Sequence, residues 1–267
     1  MKTGILGLSR RYLAFRRLCK PRHGFGIHSP FVFELYTQAI DPDAKEPAFL
    51  PIERYRQSLK RCAQRIDLVG ADGCSQATSE VRKIARKAAI PPHLGRLLFR
   101  LCRYMQPQSI VELGTSLGIS TLYMAVATPD VPLHTIEVNA DVQQIAQNQF
   151  DTMGCGNVYT HCGTFAEHLP SLLQHLPSVG LAFVDGHHQG EAMLRYVEAM
   201  LPHITPSSML VLDDIRWSDD MEAAWHVLCA DPRVSLSIDL FRCGILLFRQ
   251  GVAKQHFNLR FGPYWIV

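Results

Sequence analysis

Residues 109–121 read SIVELGTSLGIST, an apolar run that leads into a turn punctuated by glycines. The apolar part is typical of a buried strand, and Gly114 and Gly118 let the backbone turn sharply and approach a ligand closely. In doubly wound α/β folds, ligands lie outside the carboxyl ends of the strands, near the start of the next helix. The spacing E-x-G-x-x-x-G is not that of a dinucleotide site, and no G-K-[ST] phosphate cradle follows. The acidic Glu112 suits a ligand with a cationic amino group.

This stretch begins a regular alternation of short apolar runs and longer amphipathic runs. Seven runs rich in Val, Ile, Leu or Phe are predicted as strands, at 109–115, 133–139, 157–163, 181–186, 208–215, 235–241 and 244–249. Helices are predicted between the first five strands, which indicates right-handed crossovers and a parallel sheet. The last two strands are separated only by Arg242 and Cys243, so they are expected to form an antiparallel hairpin at the sheet edge. The predicted fold is α/β, a Rossmann-like doubly wound sheet of seven strands with an antiparallel C-terminal hairpin.

The first 100 residues are predicted to be mostly helical. Residues 52–66 and 79–89 have helical periodicity, and the periodicity resumes at 93–105 after the break at Pro91 and Pro92. We therefore divide the chain into a helical N-terminal extension or lid (1–90), a ligand-binding domain (91–250) and a C-terminal tail (251–267).

The net charge of +3 conceals an asymmetry. Residues 1–100 carry 19 Lys/Arg and 8 Asp/Glu, a balance of +11, whereas residues 101–267 carry 8 and 16, a balance of −8. A basic part on an acidic body favours either internal complementarity or an anionic partner. No apolar run reaches the roughly 18–20 residues of a membrane span, no secretory signal is recognisable, and the eight cysteines form no CxxC pair. These features predict a cytoplasmic protein without a transmembrane segment.

A second acidic residue, Glu137, ends the second predicted strand. A carboxylate at that point can accept hydrogen bonds from both ribose hydroxyls of an adenosine. With Glu112, the glycine turn and Glu137, the chain resembles the class I S-adenosylmethionine-dependent methyltransferases over about residues 90–250. The hairpin ending fits the antiparallel last strand of that fold.

The resemblance implies S-adenosylmethionine (SAM) as the cofactor. The implied cofactor-binding residues are Glu112, Gly114, Ser116, Gly118, Ser120, Glu137, Thr164 and Asp185. Glu112 and Gly114 would lie beside the methionine portion, and Ser116 and Ser120 would hold its carboxylate. Glu137 would hold the ribose, and Thr164 would lie by the adenine.

A further set of polar residues follows the fourth and fifth predicted strands, at 185–188 (DGHH) and at Asp213 and Asp214. Adjacent strand ends would bring Asp185, Asp213 and Asp214 to one rim of the sheet, where oxygen ligands suit Mg²⁺ or a similar divalent cation. Such an ion would lower the pKa of a substrate hydroxyl, and His188 is suited to take the proton. Asp185 and His188 are therefore the predicted catalytic residues.

These residues resemble the cation-dependent O-methyltransferases, the group that contains catechol O-methyltransferase. Asp214 stands where that group has a metal-binding Asn, and His188 stands where it has a Lys. The D-G-x-H form with paired Asp is similar to relatives that methylate sugar hydroxyls. Two alternatives remain open: Asp185 contacts only the cofactor, or Asp214 caps the following helix. His188 would then act alone.

The segment GFGIHSPF (24–31) resembles the opening of uncharacterised bacterial methyltransferase-like proteins with an H-S-P-F segment. His28 and Ser29 would form part of a lid, or Phe25, Phe31 and Phe33 would pin the loop in an apolar cluster. Residues 5–15 interleave apolar residues with arginines, which also permits a dimer contact or contact with an anionic membrane.

The resulting hypothesis is methyl transfer to a hydroxyl of a small-molecule acceptor. Methylation of RNA or another polyanion is the alternative among enzymes, and a cofactor-binding protein without turnover is the alternative from another class. A homodimer is compatible with either.

Overall fold

The structure, a computed structural model, describes residues 5–19, 22–42, 45–70, 73–74 and 76–262. The side chains of residues 5–10 and the C-terminal residues 263–267 lie outside the described part. The helices are α1 (Ile5–Leu18), α2 (Pro30–Leu35), α3 (Phe49–Leu59), α4 (Val81–Lys87), α5 (Pro92–Met105), α6 (Ile119–Ala127), α7 (Ala140–Thr152), α8 (Phe165–His175), α9 (Gly190–Met200) and α10 (Asp219–Ala230). The strands are β1 (Arg65–Val69), β2 (Gln76–Glu80), β3 (Ile110–Leu113), β4 (Leu133–Glu137), β5 (Val158–Cys162), β6 (Val179–Val184), β7 (Ile204–Leu212), β8 (Leu236–Asp239), β9 (Gly244–Leu247) and β10 (Gln255–Asn258).

The chain divides into two compact units, one made of residues 1–42 with 178–267 and the other of residues 43–177. We call them the first and second units. In the second unit β3, β4 and β5 pair in parallel in that order, and β1 and β2 form a separate antiparallel hairpin. In the first unit the strand order is β10-β8-β9-β7-β6, with β6 parallel to β7, β9 antiparallel to both neighbours, and β10 parallel to β8.

Helix α5 shows why the second unit folds around its strands. Its Leu94, Leu97, Leu98 and Leu101 are all buried and recur at the spacing of one helix face. A Cβ on its Gly95 would lie 2.5 Å from the ring of Tyr123, so the glycine lets α5 and α6 approach closely. All four residues of β3 are buried, as in a strand covered on both faces.

A buried ionic network ties the antiparallel strands of the first unit to α10. Asp239, 1% exposed, accepts hydrogen bonds from Arg216 at 2.8 and 2.6 Å and from the indole of Trp225 at 3.2 Å. The carboxylate is thereby satisfied from both sides, as a buried charge must be.

The fold class predicted from the sequence is confirmed, but the strand count was wrong. Residues 255–258 of the presumed tail form a further strand, β10, which pairs with β8 and was not among the seven predicted strands. The β8–β9 hairpin is therefore not the edge of the sheet. The helix predicted for 52–66 ends at Leu59, and residues 65–69 pair with 76–80 as strands. Such pairing supplies hydrogen bonds that the local periodicity does not reveal.

No helix in the described part of the chain is long and apolar enough to cross a membrane.

Candidate functional site

The turn after β3 has the unusual backbone that its glycines predict. Gly114 has φ 104° and Gly118 has φ 77°, and Ser116 between them has φ 45°, which is uncommon for a residue with a side chain. The N–H groups of Gly114 and Thr115 donate to the carbonyl of Ile136 at 3.1 and 3.3 Å. The turn is thus bonded to the end of β4, and α6 begins directly after it at Ile119.

Glu112 in β3 is completely buried. Its Oε2 accepts from the hydroxyls of Thr121 at 2.5 Å and Thr135 at 2.7 Å, whereas its buried Oε1 has no hydrogen-bond partner among the described residues. Burial raises the pKa of Glu112 to about 7, while the hydroxyls of Ser120, Thr121 and Thr135 act in the opposite direction. A buried carboxylate oxygen without a donor costs stability and is suited to a ligand that brings one.

Glu137 ends β4 and is 8% exposed. Its Oε2 accepts from the backbone N–H of Ser116 at 2.9 Å, and its Oε1 accepts from the backbone and side-chain N–H groups of Asn139 at 3.0 and 2.9 Å. The glycine turn and the second acidic position are therefore joined by a hydrogen bond. Sequence reasoning missed Asn139, although the E-x-N spacing allows this local contact.

Gly118 and Thr164 also have structural roles. A Cβ on Gly118 would lie 2.7 Å from the ring of Phe150, so packing alone requires the glycine. Thr164 is the N-cap of α8 and forms a capping box with Glu167, donating to its carboxylate at 2.9 Å. Ser120 is buried, 5% exposed, in the first turn of α6.

In the first unit, three of the predicted residues come together just beyond the strand ends. β6 ends at Val184 and β7 at Leu212. Asp185, His188 and Asp214 each offer a ligand atom, and these atoms lie within 4.8 Å of one another. Two carboxylates and an imidazole at this spacing form a candidate divalent-cation site.

Asp213 is not a member of this group, although three converging aspartates were expected. It is 2% exposed, and its carboxylate accepts from Arg242 Nε at 3.0 Å and Nη2 at 2.7 Å. The chain has left β7, and Asp214 has the left-handed φ of 49°, which separates the two neighbouring side chains. The cap of α10 is Ser218, whose hydroxyl accepts from Met221 N–H at 3.2 Å, so Asp214 does not serve that purpose.

Arg242, in the connection between β8 and β9, was missed as a site residue. Its Nε lies 3.4 Å from Asp214 Oδ1, in addition to its bonds with Asp213. Burial opposes its charge, but the carboxylates of Asp213, Asp214 and Asp185 raise the pKa of Arg242. The antiparallel pairing of Leu212 with Gly244 brings this turn next to Asp213. A sequence prediction that included the register of β7 and β9 would have identified Arg242.

The charges of this cluster are strongly coupled. Burial raises the pKa of Asp214 to about 7, the charge of Asp213 acts in the same direction, and Arg242 opposes them. The expectation that at least one of the crowded carboxyls has a raised pKa is confirmed, with burial as the larger cause.

His188 has a side chain 40% exposed, with Nδ1 3.9 Å from Asp214 Oδ2 and the ring 5.6 Å from that of Trp217. Burial lowers the pKa of His188 and Asp213 opposes this effect, so the imidazole is neutral near pH 7 and able to accept a proton or bind a cation. The neighbouring His187 has φ 67°, and its Nδ1 lies 2.8 Å from the hydroxyl of Tyr196.

Comparison with known proteins identifies the fold. Residues 111–215 match the family described as a methyltransferase domain. One relative is a protein of Mycobacterium sp. (strain JLS) that is named as an O-methyltransferase. It is 35% identical to this chain over 99 residues, which cover 37% of this chain and 45% of that protein. The chain thus spans a little under half the length of this relative.

Two solved structures are similar over most of their length. The O-methyltransferase TomG from Streptomyces achromogenes, in complex with SAM, has a TM-score of 0.56 at 18% identity and covers 81% of this chain and 94% of its own. An O-methyltransferase from Bacillus cereus, in complex with S-adenosylhomocysteine (SAH), has a TM-score of 0.55 at 16% identity and covers 77% and 92%. These comparisons show a match to a methyltransferase domain over residues 111–215 and the fold shared with the two solved structures.

Proposed function

We propose that this chain is a SAM-dependent methyltransferase that transfers a methyl group to a hydroxyl of a small molecule. The observation that carries the proposal is the presence of two buried glutamates, one in β3 and one at the end of β4, with Glu137 bonded to the strained turn that follows β3. This pair lies within the segment that matches a methyltransferase domain. The O-methyltransferases with similar structures support the type of acceptor.

The residues of the second unit fit the proposed cofactor. The buried Oε1 of Glu112 would accept from the amino group of the methionine portion, which satisfies an oxygen that otherwise lacks a donor. Ser116 and Ser120 would hold the carboxylate at the start of α6. Glu137 would accept from the ribose hydroxyls while it keeps its bonds to Ser116 and Asn139, because each carboxylate oxygen can accept more than one hydrogen bond.

The remaining cofactor assignments are Gly114, Gly118, Thr164 and Asp185. Gly114 and Gly118 would keep the turn free of side chains, and Thr164 would lie by the adenine while it caps α8. Asp185 is proposed both for the cofactor and for the cation.

Bound SAM supplies an already activated methyl group. The chain has therefore to orient the acceptor and remove its proton. We assign proton removal to His188, which is neutral near pH 7 and close to the carboxylates of Asp185 and Asp214.

Asp185 and Asp214 would hold a divalent cation, with His188 either as a third ligand or as the free base. Mg²⁺ prefers oxygen ligands alone, and an imidazole in the set favours Mn²⁺ or another transition metal. Asp213, proposed from the sequence as a third ligand, is already compensated by Arg242. If turnover does not depend on a cation, His188 would act alone and Asp185 would contact the cofactor only.

The test is calorimetry with SAH, followed by an assay of SAH formation over a library of hydroxylated acceptors. We expect binding of SAH and turnover with some members of the library, and failure of a folded protein to bind SAH would overturn the proposal. Turnover abolished by EDTA and restored by Mn²⁺ or Mg²⁺ supports the cation, whereas turnover indifferent to EDTA removes it. Turnover of RNA but of no small molecule would transfer the proposal to the polyanion alternative.

We also propose a cytoplasmic location, which is supported by eight cysteines without a CxxC pair.

A further inference from the structure

The N-terminal segment of the first unit, residues 11–33, exposes an unusual amount of apolar side chain. Nine large hydrophobic residues are exposed in the described part of the chain, and four of them lie in this segment. They are Leu13 at 58%, Leu18 at 68%, Phe25 at 70% and Phe33 at 44% exposed. Isolated exposed apolar residues are ordinary, whereas a concentration of them marks a surface that binds something.

Helix α1 is already packed against the first unit by its other face. Phe15 and Cys19 are buried, and the ring of Phe15 lies 5.4 Å from that of Phe241. Leu13 and Leu18 therefore lie outside the face of α1 that packs against the core of the first unit. At about 100° per residue, Leu13 and the exposed Arg17 lie opposite Phe15, and Leu18 lies at the flank of α1, about 60° from Phe15.

The two exposed phenylalanines are held by ordered structure. Ser29 caps α2 by accepting from Val32 N–H at 3.4 Å, and Val32 is buried with Leu35. Phe33, on the other side of α2, lies over Gly24, where a Cβ would come within 2.6 Å of its ring. Phe25 follows Gly24 directly. The expectation that Phe25, Phe31 and Phe33 pin the loop in one apolar cluster was wrong for Phe25 and Phe33, because both are exposed.

The charge of this region has one sign. Residues 11–33 contain five Lys and Arg and no Asp or Glu. Arg11 is used internally, where it pairs with Glu222 and Asp219 of α10. Arg17 is exposed between the exposed leucines. A surface that is both apolar and cationic is suited to an anionic partner that also offers an apolar phase.

We propose that residues 11–33 dock the protein on an anionic membrane surface, with Leu13, Leu18 and Phe25 entering the headgroup region. RNA phosphates would pair with the arginines, but RNA would not bury the exposed leucines. A symmetric dimer through this segment would place like charges opposite one another. An anionic bilayer uses both properties, and, if the proposed methyltransferase function holds, docking there would direct the enzyme to acceptors held at a membrane.

The experiment is sedimentation of the full-length protein with vesicles of phosphatidylcholine alone or with 30% phosphatidylglycerol, at low and moderate salt. We expect binding to the anionic vesicles that weakens as salt rises, and little binding to phosphatidylcholine. The variant Leu13→Gln/Leu18→Gln/Phe25→Ser should bind roughly tenfold more weakly or worse. The matched control is Val227→Gln/Val252→Gln, which replaces residues 56% and 43% exposed elsewhere in the first unit and should bind as the wild type does.

Arg17→Gln should lower vesicle binding more than Arg195→Gln, which removes an exposed arginine from α9. Equal binding by the triple variant and the wild type would overturn the proposal. So would a change in sedimentation coefficient showing that the triple variant dissociates a dimer, or salt-sensitive binding to transfer RNA with none to vesicles. The SAH affinity of each variant is measured in parallel, so that failure to dock is distinguished from failure of the proposed methyltransferase function.

Discussion

At the scale of single residues, Glu112 and Glu137 differ in how many of their carboxylate oxygens accept hydrogen bonds. Glu137 has hydrogen-bond donors on both oxygens and holds the glycine turn through Ser116. Glu112 is buried, and one of its oxygens has no hydrogen-bond partner in the part of the chain that the structure describes. Glu137 therefore shapes the turn, whereas Glu112 keeps an oxygen that can accept a hydrogen bond from a ligand.

Glu137→Ala should weaken SAH binding, because it would remove the proposed hydrogen bonds from both ribose hydroxyls and would release the backbone N–H of Ser116. Each bond to a charged group contributes about 1.5–3 kcal/mol, so we expect a loss of at least tenfold in affinity. Calorimetry with SAH measures the loss. Asp141→Asn, which changes an exposed carboxylate in the first turn of α7, is the control and should bind normally. Unchanged affinity in folded Glu137→Ala would remove Glu137 from the ribose.

Arg242→Gln should lower the free energy of unfolding by about 3–5 kcal/mol, because the carboxylate of Asp213 would remain buried without its counter-charge. The double variant Arg242→Gln/Asp213→Asn should recover much of this loss. Chemical denaturation of the wild type and both variants measures it. A double variant no more stable than Arg242→Gln alone would mean that the two residues do not act as a pair.

At the scale of elements, the β3–α6 connection combines the demands of packing and of binding. Gly118 turns the backbone into α6 where a side chain would strike Phe150 of α7. The backbone N–H of Ser116 in the same turn donates a hydrogen bond to Glu137. A change that distorts the connection should therefore affect stability and cofactor binding together.

Gly118→Ala should lower the free energy of unfolding by roughly 1–3 kcal/mol, through overpacking and an unfavourable φ. Phe150→Leu in the same chain should restore the steric part only. Thermal unfolding of the single and double variants separates the two costs. If Phe150→Leu adds its full cost to that of Gly118→Ala, the clash with Phe150 is not the cause.

At the scale of the whole molecule, buried acids make stability depend on pH in an unusual direction. Glu112 has a pKa of about 7 in the folded chain, above its ordinary value of 4.5. The folded state then binds more protons than the unfolded state between these values, so this stabilising contribution is complete below about pH 4.5 and is lost as pH rises towards 7. The lowered pKa of His188 acts in the opposite sense, since its protonation on acidification opposes folding.

The comparison of the wild type with Glu112→Gln isolates this contribution. Between pH 4.5 and 7 the wild type should lose up to about 3 kcal/mol relative to the variant, at 1.36 kcal/mol per pKa unit. Urea denaturation at several pH values measures the difference. A difference that is constant over this range would show that Glu112 titrates normally.

Local patterns in the sequence determined most of the α/β architecture and the place of the proposed cofactor-binding residues. Apolar periodicity identified the strands from β3 to β9, and Glu112 and Glu137 stand at or near strand ends that parallel pairing brings together. These features depend on short stretches of chain and on general rules of sheet topology.

Only the tertiary structure decided the remaining features, because each depends on contacts between distant residues. The pairing of β1 with β2 and of β10 with β8 has no strong local signal. Arg242 reaches Asp213 across 29 residues and withdraws it from the group that Asp185, His188 and Asp214 form. Which aspartate joins Asp185 and His188 and which pairs with an arginine follows from the register of β7 and β9, which alternation of side chains alone does not specify.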